Sequence, residues 1–273
     1  MVAAFLSNWA QIPKQRVDGW SLSVVALCGF LLGPVIALLI TAFGDSGGLW
    51  AHLASTVLGK YVGNTLILMM GVGALAILFG VSSAWVITRY EFAGRGWFEW
   101  MLLLPAAIPA YIIAYTYTDF FEYAGPVQTA LRGFFGWQSA RDYWFPEIRS
   151  LGGATLVMAS VLYPYIYMVT RIAFRLTSAS LFEIALVHNK SQFWTVGLPL
   201  ARPAIMAGLA LVLMEVVSDF GTVEYFAIET ITLGIFNVWL GMNNIFAAAQ
   251  ISLVGFVFIL SLLGLELYAR SRQ

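Results

Sequence analysis

Apolar residues in this chain fall in long uninterrupted runs, and polar ones in the short stretches between them. Residues 22–43, 64–88, 100–118, 151–170 and 246–265 each pass without a charged side chain. A sixth run, 204–225, is similarly apolar apart from Glu215, Asp219 and Glu224. The hydrocarbon core of a bilayer is roughly 30 Å thick and takes about 20 residues of helix to cross. A chain that forms no closed barrel has no other way to satisfy its backbone there. The pattern therefore predicts an all-α integral membrane protein with six transmembrane helices.

Basic residues set the expected orientation. Lys14, Arg16, Arg89, Arg95, Arg171, Arg175, Lys190, Arg202, Arg270 and Arg272 fall in one set of connecting segments, and Lys60, Arg132, Arg141 and Arg149 in the other. By the positive-inside rule this ten-to-four division places both termini in the cytoplasm. No small-x-small cleavage site follows the first run, so span one is expected to stay as an anchor. The outward loop over residues 122–150 holds seven aromatic residues, whose amphipathic rings favour the headgroup level, so it is expected to lie along the outer surface. The inward linker over residues 171–203 reads as a helix over 180–190 and a second piece ending at Leu198-Pro199.

Composition narrows the function classes. Residues are 60% hydrophobic and 10% charged, far from the quarter charged of a soluble domain. The 14 basic and 14 acidic side chains cancel, leaving no excess charge to hold a nucleic-acid backbone. Cys28 has no second cysteine to pair with, and His52 and His188 are far apart in sequence, so no metal site is expected. The Gly59-Lys60 pair is followed by Tyr61 rather than the serine or threonine of a nucleotide-binding loop. With no nucleophile elbow and no His-Glu-x-x-His helix either, the chain is expected to have no catalytic residues and no cofactor of its own.

Acids in span five are the main candidates for chemistry. Glu215 and Asp219 are four residues apart and would share one face of a continuous helix. Either that face lines a polar path, or the helix leaves the hydrocarbon near Glu215 and the rest is solvated. The path candidates are Glu215, Asp219, Phe220 and Glu224, with Asp119 following span three. Gly221 is expected to loosen the helix after Phe220. Pro105 and Pro109 in span three and Pro164 in span four each remove a backbone hydrogen bond and predict kinks, although proline is simply more frequent in membrane helices. Gly29 and Gly33 in span one permit close helix approach without naming a partner.

Glu183-Ile184-Ala185, followed by Leu198-Pro199-Leu200-Ala201-Arg202-Pro203, resembles the EAA motif of binding-protein-dependent ABC importer permeases: Glu-Ala-Ala, a later glycine, then Leu-Pro before span five. The strings LLLPAAIPAYIIAYTYTDFFEYAGPVQTALRGFFGW, DYWFPEIRSLGGA and LMEVVSDFGTVEYFAIETITLGIFNVWLGM are similar to the N-terminal half of ferric-iron ABC permeases, a likeness running from roughly Tyr61 to Leu267. The resemblance implies the type I importer fold, with a cytoplasmic segment over 1–21, a first helix and outward loop over 22–60, a permease core of five helices over 61–268 and a cytoplasmic tail over 269–273. It implies an ATPase-coupling helix, with Glu183, Ala185, Asn189, Leu198 and Pro199 at the matching positions. Implied partners are a cytoplasmic ATPase dimer that consumes the ATP, a second permease half supplied by another chain or another copy, an extracytoplasmic binding protein and the lipid of a bacterial inner membrane. Ferric iron is the implied solute, with sulfate, polyamine and thiamine importers sharing the motif.

Two departures accompany the likeness. Asn189 stands where the family has glycine. Thirteen residues separate Ile184 from Leu198, about three fewer than the family pattern; missing from a helix, these would withdraw the rest of the segment by about 4.5 Å and turn it by roughly 300°. Missing from a loop, they would only tighten it. Outside the family, an ion-coupled carrier using Glu215 and Asp219 and a purely structural membrane scaffold are the other readings.

Overall fold

The computed structural model describes residues 18–271, with side chains to residue 264. Lys14, Arg16 and Arg272, three of the basic residues that set the expected orientation, lie outside the described residues. Among the described residues there are helices and no strands. In chain order they are α1 Gly19–Ala42, α2 Leu49–Thr56, α3 Leu58–Arg89, α4 Arg95–Met101, α5 Ala110–Phe121, α6 Pro126–Phe135, α7 Leu151–Leu176, α8 Ala179–Val187, α9 Leu198–Ser218, α10 Gly221–Tyr225, α11 Ile231–Phe236 and α12 Ile245–Ser271. Five stretches are long and apolar enough to cross a membrane: Gly19–Ala42, Leu58–Arg89, Leu151–Leu176, Phe193–Ser218 and Ile245–Gly264. The bent pair Arg95–Ala107 and Ala110–Phe135 is long and apolar enough only when taken together, and gives a sixth crossing if its two arms form one broken span.

The core is the bundle of α3, α7 and α9. Leu68, Val72 and Ala76 of α3, Val157, Met158 and Ile166 of α7, and Val212 of α9 are buried together. Lipid tails are as apolar as leucine, so helices in a bilayer associate through close packing rather than by escaping water. Two glycines make that closeness possible here. A Cβ on Gly80 of α3 would stand 2.9 Å from the Tyr163 carbonyl oxygen and from Ile166, and one on Gly208 of α9 would stand 2.9 Å from the Ile166 Cα. α1 is different: Leu22, Val25, Phe30, Leu31 and Ile40 are all exposed, and neither Gly29 nor Gly33 has an atom within 4 Å of where its Cβ would be. It is moored by its end, where Gln250 of α12 donates to the carbonyls of Ala42 and Gly44 and Asn244 donates to that of Ser46.

Span three is broken rather than kinked. After α4 the chain makes a 3₁₀ turn, Leu104–Ala107, extends at Ile108 (φ −111°, ψ 128°) and restarts at Ala110, changing direction by 101°. Pro105 and Pro109 together remove two donors within five residues, and the residue before a proline is driven out of the α region. Pro164, by contrast, sits inside the unbroken α7.

Span five also differs from the expected 204–225. It begins earlier, with a wide π-helical turn over Phe193–Gly197 leading into α9, and it stops at Ser218. Leu198-Pro199 therefore opens a helix instead of ending one, because proline near a helix start lacks only a donor that has no use there. The helix ends because the Asp219 carboxylate takes the N–H groups of Thr222 (2.9 Å) and Val223 (3.3 Å) and caps α10 instead. Gly221 begins α10 and lies under Tyr111, whose Cβ would be 3.1 Å from a Cβ at that position.

Arg89, Arg95, Arg171 and Arg175 gather at one end of the bundle, its basic end. There Glu99 of α4 forms ion pairs with Arg171 and, at 3.0 Å, with Arg175, fastening the α4 segment onto α7. At the opposite end, Phe135, Trp137 and Tyr143 stack in series at 4.6 and 4.7 Å, and Arg132 lies 4.1 Å from the Tyr123 ring. Rings of this loop thus pack on one another, while Tyr123, Phe134, Phe135 and Trp144 stay exposed.

Candidate functional site

The two breaks, in spans three and five, face each other across a cavity of about 300 Å³. One wall is the opened backbone from Ala106 to Tyr111, a second is α7 through Met158, Val161, Leu162 and Tyr165, and the third carries Glu215 and Asp219. The helix that would have put these two acids on one face ends between them, yet both reach the same cavity. Glu215, on the last turn of α9, is exposed in the isolated chain; Asp219 is half-buried and also accepts the Thr222 hydroxyl at 3.1 Å. No basic side chain lines the cavity among the described residues.

The other path candidates are not gathered there. Phe220 stacks on Phe236 at 3.9 Å, Glu224 is exposed at the end of α10, and Asp119 is exposed on α5. Tyr111 and Tyr165, which the apolar runs hide, are brought in instead. The prolines of span three are more than a compositional habit of membrane helices, since the break they cause forms a wall of the cavity. Toward the end opposite the basic one, Arg149 donates to Glu122 at 2.6 Å and to the Tyr225 hydroxyl at 3.2 Å. The hydrogen bond to Glu122 holds the Arg149 guanidinium above its ordinary pKa range. This pair ties the start of α7 to the end of span three and to α10.

A second candidate element is α8, at the basic end. Phe182 and Ala185 turn inward and are buried; Glu183, Ile184, Leu186 and Val187 are exposed. The helix closes with the Asn189 N–H on the Leu186 carbonyl and the Lys190 N–H on that of Ala185, the paired bonds of a Schellman motif. Asn189 occupies the left-handed position such a motif requires, with φ 55°. The residues between Ile184 and Leu198 make up the end of α8, a link over 188–192 and the wide turn, so a short link joins α8 to the start of span five.

Asparagine tolerates left-handed backbone better than other non-glycine residues, whereas a β-branched side chain does not. Asn189→Val is expected to destabilise the chain by about 1–2 kcal/mol, and Asn189→Gly to be neutral or mildly stabilising. Thermal unfolding in detergent checks both, and equal midpoints for the three chains would show that the cap does not hold this backbone.

No family model matches the chain. It is 26% identical over 220 residues to the Fe(3+)-transport system permease protein FbpB 2 of Haemophilus influenzae, covering 79% of this chain and 38% of that protein. The chain thus spans well under half the length of this relative. It is 27% identical over 208 residues to the probable sulfate transport system permease protein cysT of Nephroselmis olivacea, covering 75% of this chain and 70% of the other. With the molybdenum transport system permease protein ModB of Escherichia coli it shares 26% identity over 163 residues, covering 57% and 68%. Its fold matches a crystal structure of a bacterial ABC transporter that imports the acidic polysaccharide alginate, with a TM-score of 0.69 at 19% identity over 92% of each chain. The relatives share a permease role and differ in cargo.

Proposed function

We propose that this chain, an ABC-importer permease by sequence kinship and fold, forms one half of a solute path in a bacterial inner membrane, with both termini in the cytoplasm. A separate ATPase dimer docks on α8 through Glu183 and its exposed apolar neighbours, and an extracytoplasmic binding protein delivers solute at the opposite end. The second half of the path is a homologous chain or a second copy. The observation that carries this reading is the cavity edged by Glu215 and Asp219. An ionised carboxylate facing hydrocarbon is costly, so an exposed Glu215 next to a polar cavity calls for water or protein on that side of the bundle. A path between two permease halves supplies both.

The cavity also bears on the cargo. Two carboxylates with no basic partner in the lining attract a cation and repel a dianion, which favours ferric iron over sulfate or molybdate. The test is isolation of the complex from its native membrane, reconstitution, and uptake of chelated ferric iron, sulfate and molybdate with ATP inside the vesicles. Co-isolation of an ATPase and ATP-dependent iron uptake are expected. Uptake of an oxyanion instead would remove the iron assignment and leave the importer standing. Transport driven by a proton gradient with no ATPase present would replace it with an ion-coupled carrier using the same two acids.

A further inference from the structure

At the basic end, the last turn of α3, the helix α8 and the wide turn before α9 meet on one cluster of rings. The Trp85 indole lies 5.3 Å from Phe174, 5.0 Å from Phe193 and 6.0 Å from Phe182. Gly197 lets the indole settle against the wide turn, since a Cβ there would stand 2.6 Å from it. One cation sits on this cluster. Arg89, the last residue of α3, holds its guanidinium carbon 4.0 Å from the centre of the Phe182 ring and 5.7 Å from that of Trp85. Its Nη2 donates to Gln192 Oε1 at 3.0 Å, and Gln192 Nε2 donates to the Phe182 carbonyl at 3.1 Å. Its Nε is buried with no hydrogen-bond partner.

An unpaired buried donor costs about 1–3 kcal/mol, so this placement is poor as mere anchoring; an arginine at a helix end can reach water at little cost. What it achieves is a link. α8 is joined by the chain to α7 and α9, but to α3 it is joined by side chains: the Trp85 indole and the Arg89 cation against the Phe182 ring, and a glutamine that holds both the cation and the Phe182 backbone. α3 in turn packs along α7 and α9, and the middle of α7 and the last turn of α9 wall the cavity.

We propose that Arg89 is a positioning residue that couples α8 to α3, so that displacement of α8 is passed to the bundle of α3, α7 and α9 through side chains and not only through the chain links at its two ends. This rests on the reading of α8 as the ATPase-docking element. Without the link, α8 would pivot on those chain links and hydrolysis would run without opening the cavity.

The experiment uses the reconstituted complex with Cys28→Ser and Ala107→Cys, which places a single thiol in the cavity wall. Its labelling rate by a membrane-impermeant maleimide is measured with and without ATP and vanadate. With Arg89 intact, trapping is expected to change the rate about fivefold or more. Arg89→Ala is expected to abolish that change while the ATPase stays bound and hydrolyses ATP, and Arg89→Lys, which keeps the cation but not the planar donor, to restore part of it. An Arg89→Ala complex that responds like its parent would overturn the proposal. Should that variant fail to accumulate, Gln192→Ala removes the tether alone, and an unchanged response there overturns it equally. A parent complex that holds no ATPase would instead sink the docking reading, and the role of Arg89 with it.

Discussion

Glu99→Ala is expected to destabilise the folded chain by about 3–5 kcal/mol, because it strands a cation that has little access to water. The Arg171 and Glu99 side chains are only 15% and 18% exposed, and the Arg171 Nε is already buried without a partner. Arg175, at 47% exposure, reaches solvent and can do without the acid. Glu99→Gln keeps one acceptor oxygen, which can still serve Arg171, and should lose less. Combining Glu99→Ala with Arg171→Met, which removes the charge along with its partner, should recover most of the deficit. Unfolding in detergent measures all three. A loss below about 1 kcal/mol in Glu99→Ala would mean that the pair behaves as a solvated surface contact.

Asp219→Asn is expected to reduce transport by at least about tenfold, about 1.4 kcal/mol in the barrier, with the amount of folded protein unchanged. The amide oxygen still caps α10 by accepting the Thr222 and Val223 N–H groups, so this substitution removes the charge and leaves the cap. Asp219→Leu removes both and should also lower stability by about 1 kcal/mol. Uptake in vesicles, normalised to purified complex, separates them. If Asp219→Asn transports like its parent while Asp219→Leu fails, the carboxylate serves the fold and not the path.

Spans one, two, four and six were legible as apolar runs because no charge falls within them and the prolines they hold, Pro34 and Pro164, leave their helices unbroken. The difficulty lay where local chemistry interrupts a run that hydropathy alone reads as continuous. Pro105 and Pro109 were visible, but two prolines so close produce a break only if the opened turn finds something to pack on, and Met158 to Tyr165 of α7 provide it. Asp219 was visible too, as an acid sharing a face with Glu215. Its spacing to Thr222, an acceptor three residues before a donor, was the sign of a cap. Leu198-Pro199 carried the opposite ambiguity, since proline marks a helix start as readily as a stop.

The candidate site was partly within reach for the same reason. Glu215 and Asp219 stand out as charges among apolar residues and converge as a pair, whereas Phe220 and Glu224 were placed beside them by sequence proximity that the break in the chain dissolves, and Asp119 was named only as the acid that follows span three. Tyr111 and Tyr165 look like any lipid-facing aromatic until the helices are assembled. Arg89 counts in the sequence only as one more inward charge. Its contact with Phe182 spans 93 residues of chain and has no local signature.

Ile166 touches both close crossings, with Gly80 on one side and Gly208 on the other. Cores packed this closely shift between discrete arrangements and do not deform smoothly, so sliding α3 or α9 along α7 would drive one of these backbones into the isoleucine. The three helices are thus fitted to tilt as one body. Relative displacement is left to the pieces outside it: the two arms of broken span three, the short α10 and the end-moored α1. In mechanical terms the glycines make the lever and the prolines the joints, and a bulky residue at Gly80 or Gly208 would disturb the frame without touching the cavity.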